Sequence, residues 1–249
     1  MNARRDQPLL EAVAGRVTEA GLDLFGGFHP NPEDAVPSLP GGACAATVLV
    51  VGNVGGAFWA HVQAAPKRGG PDPVDRWTAR VLDDLAGELG ATALYPFGSP
   101  PHHPFQRWAR RADPDLSVSP LGLLIHPDRG LWHALRGALL FRERLVLPAI
   151  AAPRPSPCAS CLGKPCLNTC PVGAFGTGGY DVAACRACLH TLSGQPCVVQ
   201  GCRARAACPV AGPTPTPARR CSTICGLSPG PSAIPLRAVP PCHRAASRA

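Results

Sequence analysis

Nine of the thirteen cysteines fall between residues 158 and 208, in two runs that each close on a Cys-Pro pair. The first run reads Cys158-x2-Cys161-x4-Cys166-x3-Cys170-Pro171. The second is looser, with Cys185, Cys188, Cys197 and Cys202 leading to Cys208-Pro209. Thiols this close in sequence fold into loops around a shared centre, and the redox compartment decides whether that centre is a metal or a disulfide. Met1 to Gln7 is polar and charged and lacks the apolar stretch of an export signal. A cytoplasmic, reducing location is therefore expected, and there cysteine runs serve as metal ligands.

Two thiolate centres come into question. Zinc takes four sulfurs tetrahedrally, from two C-x2-C pairs separated by a longer loop, and would give a cysteine-rich binding module without redox activity. A two-cluster iron–sulfur module instead uses C-x2-C-x2-C-x3-C-P, with the last cysteine crossing to the neighbouring cluster. Two Cys-Pro endings favour two [4Fe–4S] clusters in a ferredoxin-like arrangement. The x4 gap before Cys166 departs from that pattern and implies a bulged loop containing Gly163 and Pro165. The crossed pattern gives one centre Cys158, Cys161, Cys166 and Cys208. The other takes Cys170, Cys197, Cys202 and either Cys185 or Cys188; Cys185 is preferred, because a helix over Asp181–Ala184 would deliver it.

Upstream, the pattern alternates between elements. Leu9, Leu10, Val13, Val17, Leu22 and Leu24 keep helical spacing, and Phe25-Gly26-Gly27-Phe28 breaks it. Thr47–Gly52 reads as a buried strand. Asp72-Pro73 opens a helix with Asp72 as N-cap; Trp77, Val81, Leu82, Leu85 and Leu89 continue it, and Gly90 ends it. Further strands are expected at Thr92–Phe97 and Leu121–Ile125, and a helix at Phe105–Ala112. Trp132–Phe141 reads as helix or strand. Residues 1–148 thus form an α+β domain, 149–157 a Pro-rich linker and 158–210 the cysteine module. Trp59, Trp77 and Trp108 read as packing, His102-His103 as a solvated loop and Cys44 as a buried thiol.

Several pieces of the first domain resemble the cobalamin-processing CblC family: Gly21-Leu22, Phe28-His29-Pro30, the strand at Thr47–Val51 and Asp72-Pro73-Val74-Asp75. Leu124-Ile125-His126-Pro127, with Gly130, Trp132 and Arg136-Gly137, carries the resemblance furthest. The combination of domain and clusters also resembles epoxyqueuosine reductase and reductive dehalogenases. The resemblance implies a nitroreductase-like domain beside a module whose clusters pass single electrons to a corrinoid or another acceptor. It implies cobalamin as a second cofactor, with His126, Trp132 and Arg136 near the corrin or a thiol-binding pocket. No counterpart of the acidic proton donor is identified, so no catalytic residue is assigned. From the residues alone, His126 equally reads as a strand-end cap and Arg136 as an ion-paired arginine.

The net charge of +8 suits an acidic redox partner protein. Basic residues are not interleaved with aromatics, which argues against nucleic acid. No apolar run reaches the ~18 residues of a membrane span. Residues 211–249 hold eight prolines and no aromatic residue. They read as disordered, or as the product of a reading frame shifted near codon 211, which would make Cys221, Cys225 and Cys242 accidental.

Overall fold

The computed structural model describes residues 3–66, 71–176 and 178–210, and the tail expected to be disordered or frame-shifted lies outside them. Helix α1 (Ala3–Glu19) leads into β1 (Asp23–Phe28), a 3-10 turn (Pro32–Asp34) and β2 (Thr47–Val54). Then come α2 (Phe58–Ala64), α3 (Pro73–Leu89), β3 (Thr92–Leu94) and α4 (Phe105–Ala112). The short β4 (Ser117–Val118) and β5 (Leu124–Ile125) precede the long β6 (His133–Phe141).

The main sheet is antiparallel, in the order β1-β2-β6-β3. In β2, Val48 and Val50 face a core shared with Phe28, Trp108 of α4, Ala138 and Leu140. Leu49 and Val51 face the opposite core, with Val13 and Val17 of α1, Leu82 and Leu85 of α3, Leu139 and Phe141. Because side chains alternate along a strand, a sheet covered on both faces needs apolar residues at every position. That is why Val48–Val51 of β2 and Ala138–Phe141 of β6 read as apolar runs, and the packing resolves His133–Phe141 as strand. The α+β class is as expected, and the three tryptophans pack: Trp108 is fully buried, Trp77 and Trp59 nearly so.

Several local expectations are corrected. The expected break at residues 25–28 is strand β1, bulged at Phe25, because Gly26 adopts φ +113° where a Cβ would strike the Ala112 carbonyl at 2.5 Å. Leu24 therefore belongs to β1 and not to the first helix. The expected strand at 121–125 is shortened to Leu124–Ile125, paired with β4, and that at 92–97 ends at Leu94. Asp72 sits at the N-cap with φ +51° and makes no side-chain cap, whereas Gly90 ends α3 in the left-handed conformation as expected. Cys44 is exposed, since it lies in the irregular segment before β2 and not in a core. His103 is not simply solvated: its ring stacks on Trp108 at 5.6 Å.

The cysteine region is built of short pieces: α5 (Pro165–Asn168), β7 (Phe175–Gly176), β8 (Gly179–Tyr180), α6 (Val182–Leu189), α7 (Gln195–Gln200) and α8 (Arg203–Ala206). It packs against the segment before β6, where Leu121, Ile125 and Leu131 share a core with Cys166, Ala204, Cys158, Cys170 and Cys208. Arg154, in the expected linker, ties that segment down by pairing with Asp115 and Asp128. No helix among the described residues is long and apolar enough to cross a membrane.

Candidate metal centre

None of the described cysteines forms a disulfide. Their thiols sort themselves by mutual electrostatics. Burial first, and then the neighbouring Cys208, Cys166 and Cys161, raise the pKa of Cys158. Cys166 is raised by burial and then by Cys208 and Cys161. A second set is linked in the same way: after burial, Cys170, Cys197 and Cys188 raise Cys185, and Cys197 and Cys185 raise Cys202. Cys208 thus acts on the first set and Cys170 on Cys185 of the second, while Cys170 also packs in the core of Cys158, Cys166 and Cys208. Such mutual repulsion is what converging thiolates show before a cation compensates them.

Local structure explains the convergence. The bulged x4 loop turns through Gly163 and Lys164, both left-handed, so that Pro165 can open α5 and bury Cys166. The helix expected at 181–184 is α6, capped by the Asp181 side chain on Ala184 N–H, and it carries both Cys185 and Cys188. Cys185 faces Cys170 and Cys197, whereas the Cys188 carbonyl accepts from Thr191 N–H and Oγ1.

Hydrogen-bond donors reach several of the sulfurs. Ala174 N–H donates to Cys170 Sγ at 3.3 Å. Backbone N–H groups of Ala204 and Arg205 donate to Cys202, and that of Leu167 to Cys166. Side chains of Ser156 and Tyr180 serve Cys158 and Cys185. Among the described residues no three cysteine sulfurs lie within 4.8 Å of one another. A tetrahedral zinc site, with Zn–S near 2.3 Å, would bring its sulfurs to roughly 3.8 Å.

The trio that does converge is Asp113, Asp115 and His126. Arg129 already pairs with Asp113 and Arg154 with Asp115, so this is an ion-pair network and not a cation site. His126 is buried, and its Nδ1 accepts from Asp128 N–H at 3.0 Å and Arg129 N–H at 3.3 Å. It therefore caps the turn after β5, and burial followed by Arg129 holds its pKa down. Arg136 lies elsewhere, at a bulge of β6. Its Nε donates to Asn53 Oδ1 at 2.7 Å, its guanidinium sits 5.0 Å over Phe58, and Asp75 is 3.9 Å away. Burial lowers its pKa to about 10. Trp132 is half-buried beneath the guanidinium of Arg205 from α8. The three residues thus stand in three separate sets of contacts.

Sequence reasoning missed His133. It is buried at the start of β6, edge-on to Phe25 at 5.9 Å, and its Nδ1 has no partner among the described residues. Burial, with Arg129 and Arg205 nearby, pushes its pKa down to about 4. Only the alternation of β6 could have signalled it, and that strand was ambiguous in sequence.

No family model matches the chain, and no curated protein matches it. Among solved structures it is similar to an epoxyqueuosine reductase bound to a tRNA-Tyr epoxyqueuosine-modified stem loop, at 15% identity and a TM-score of 0.47 over 82% of this chain. The epoxyqueuosine reductase of Streptococcus thermophilus gives 14% and 0.48 over 87%, covering 68% of that chain. The C. elegans B12-trafficking protein CblC gives 14% and 0.40 over 60%, covering 76% of that chain. The chain spans 65% of the length of the first of these. These are distant likenesses in the course of the backbone.

Proposed function

We propose that the chain holds two [4Fe–4S] clusters and passes single electrons through them to an acceptor held by the first domain. Cys158, Cys161, Cys166 and Cys208 would hold one cluster, and Cys170, Cys185, Cys197 and Cys202 the other. The observation that carries this reading is that Cys208 helps to raise Cys158 and Cys166, whereas Cys170 helps to raise Cys185. The wide spacing of the sulfurs favours it over zinc, and so do the N–H groups aimed at Cys166, Cys170 and Cys202. Bound clusters of this kind supply one-electron transfer at a potential set by burial, charge and hydrogen bonds to sulfur.

The residues themselves do the holding. The α5 turn buries Cys166, α6 presents Cys185, and Ala204 of α8 is buried in the core that includes Cys158, Cys166, Cys170 and Cys208. That core keeps water from one side of the first set. For the acceptor, the resemblance names a corrinoid. The side chains it would assign do not fit that part as they stand, since His126 and Arg136 make internal hydrogen bonds and Trp132 lies under Arg205. The acceptor is thus defined by its chemistry alone, as a one-electron acceptor. EPR of the dithionite-reduced, anaerobically purified chain tests the reading. Two interacting half-spin signals are expected; a spectrum without any iron–sulfur signal would overturn it.

A further inference from the structure

Positive charge is concentrated where the cysteines are. Residues 158–210 contain Lys164, Arg186, Arg203 and Arg205 against a single acid, Asp181. That acid is already committed to its cap on Ala184 N–H. Residues 1–143, by contrast, hold fifteen acids and thirteen lysines and arginines.

Within this basic region one apolar face is left uncovered. Leu192 opens a 3-10 turn (Leu192–Gly194) that runs straight into α7, because Gly194 and Gln195 are both helical. Leu192, Pro196 and Val199 stand at i, i+4 and i+7 along that stretch and so share a face. Leu192 is 91% exposed and Val199 50%. The turn is pinned from behind. Thr191 N–H and Oγ1 donate to the Cys188 carbonyl at 2.9 and 2.7 Å. Gly194 lies so close to the same carbonyl that a Cβ would come to 1.9 Å. A leucine held rigidly in water gains nothing from the hydrophobic effect until another surface covers it. Leu162 is as exposed, on the loop after Cys161, but no second large apolar residue accompanies it there. Cys197 lies five residues beyond Leu192 in the same helical stretch, an axial rise of no more than ~10 Å. Helix α6, which carries Cys185, packs against both the turn and α7.

We propose that the face of Leu192 and Val199 is the docking surface for an acidic one-electron carrier protein, which delivers electrons to the set of Cys170, Cys185, Cys197 and Cys202. This rests on the two-cluster reading given above. Each delivery oxidises the carrier by one electron and reduces one cluster by one, with no bond made or broken. Charge selects the occupant. Exposed Arg186 of α6 and Arg203 of α8 stand on the helices packed against α7, and residues 182–210 offer no acid to oppose a negative partner. Residues 211–249 carry five arginines and no acid, so the chain's own tail is repelled from this face. A second copy meeting it face to face would bring like charges together.

The test is isothermal titration of the full chain, purified without oxygen, with an acidic plant-type ferredoxin in its oxidised form; iron and sulfide are measured on every sample. Saturable binding is expected at low salt, weakening as salt rises, because opposite charges contribute to it. Leu192→Asp should raise the dissociation constant about tenfold or more, since it removes the apolar anchor and adds repulsion. Leu162→Asp adds the same charge to the same region and should change it far less. Arg186→Gln should weaken binding by a smaller factor and flatten its salt dependence. Ferredoxin reduced beforehand should pass its electron more slowly to Leu192→Asp than to wild type, and equal rates would overturn the inference. So would absence of binding to wild type at low salt, or an equal loss in Leu162→Asp; each leaves the two-cluster reading intact. Self-association of the wild type that Leu192→Asp abolishes would also overturn it, by making a second copy the occupant. Wild-type chain without iron and sulfide would overturn the two-cluster reading itself. If Leu192→Asp loses its iron, Leu192→Ser gives the second reading: binding is expected to weaken several-fold, and an unchanged constant would overturn the proposal.

Discussion

Arg136 Nε donates to Asn53 Oδ1 at 2.7 Å across the bulge where β6 steps out of register with β2. The bulge turns a long cationic side chain toward α2 and α3, where Phe58 and Asp75 receive it. Asn53 is equally committed, as its Nδ2 donates to the Gly55 carbonyl. Asn53→Ala would remove the acceptor and leave a buried donor on a charged group, a loss of about 2 kcal/mol. Thermal melts of the anaerobic protein check this, and a wild-type midpoint would show that the bulge is not held by this bond.

His133 should make the protein acid-sensitive. Its folded pKa, near 4, lies below the 6.5 of an unfolded histidine, with burial the main cause and Arg129 next. The unfolded chain binds the proton first, so stability is intact above pH 6.5 and falls as the pH drops toward 4. Integrated from pH 7 to pH 5, the effect is about 2 kcal/mol. His133→Phe should lose about that much of the pH dependence in denaturant melts, and an unaltered slope would contradict the burial argument.

The proposed crossed ligand sets give a sharp expectation for single cysteine changes. Cys208→Ala should empty the centre of Cys158, Cys161 and Cys166, even though Cys208 lies 42 residues or more beyond them in the chain. Cys170→Ala should instead empty the centre of Cys185, Cys197 and Cys202. Each variant would keep about four iron atoms, with different EPR signals surviving. Loss of the same signal in both would contradict the crossing.

At Gly130 the first domain meets the end of the cysteine region backbone to backbone. It has φ +55°, and a Cβ there would meet the Val210 carbonyl at 2.5 Å. Gly130→Ala is strained in its own right and also pushes Val210 away. Faster limited proteolysis after residue 200 than in wild type is the expected outcome.

The apolar run Val48–Val51 made strand β2, at the centre of the sheet, legible in sequence. Helix α3 was readable end to end, because Trp77, Leu82 and Leu85 keep one face and Gly90 stops it. Strand β1 was not, since Gly26 and Gly27 look like a break unless one knows that Ala112 leaves no room for a Cβ. Helix α2 was missed because its short Phe58–Ala64 stretch has no side-chain cap to announce it. For the site, the two Cys-Pro endings are the sequence feature on which the proposed crossed ligand sets rest. His133 was not legible, because its burial depends on Phe25, more than a hundred residues earlier, and local patterning carries no trace of that contact.

The most direct test of the central claim is iron, acid-labile sulfide and zinc analysis of the chain purified without oxygen. Two clusters require about eight iron and eight sulfide per chain, with zinc at trace level. Stoichiometric zinc without sulfide would contradict the account and make the cysteine region a structural metal module.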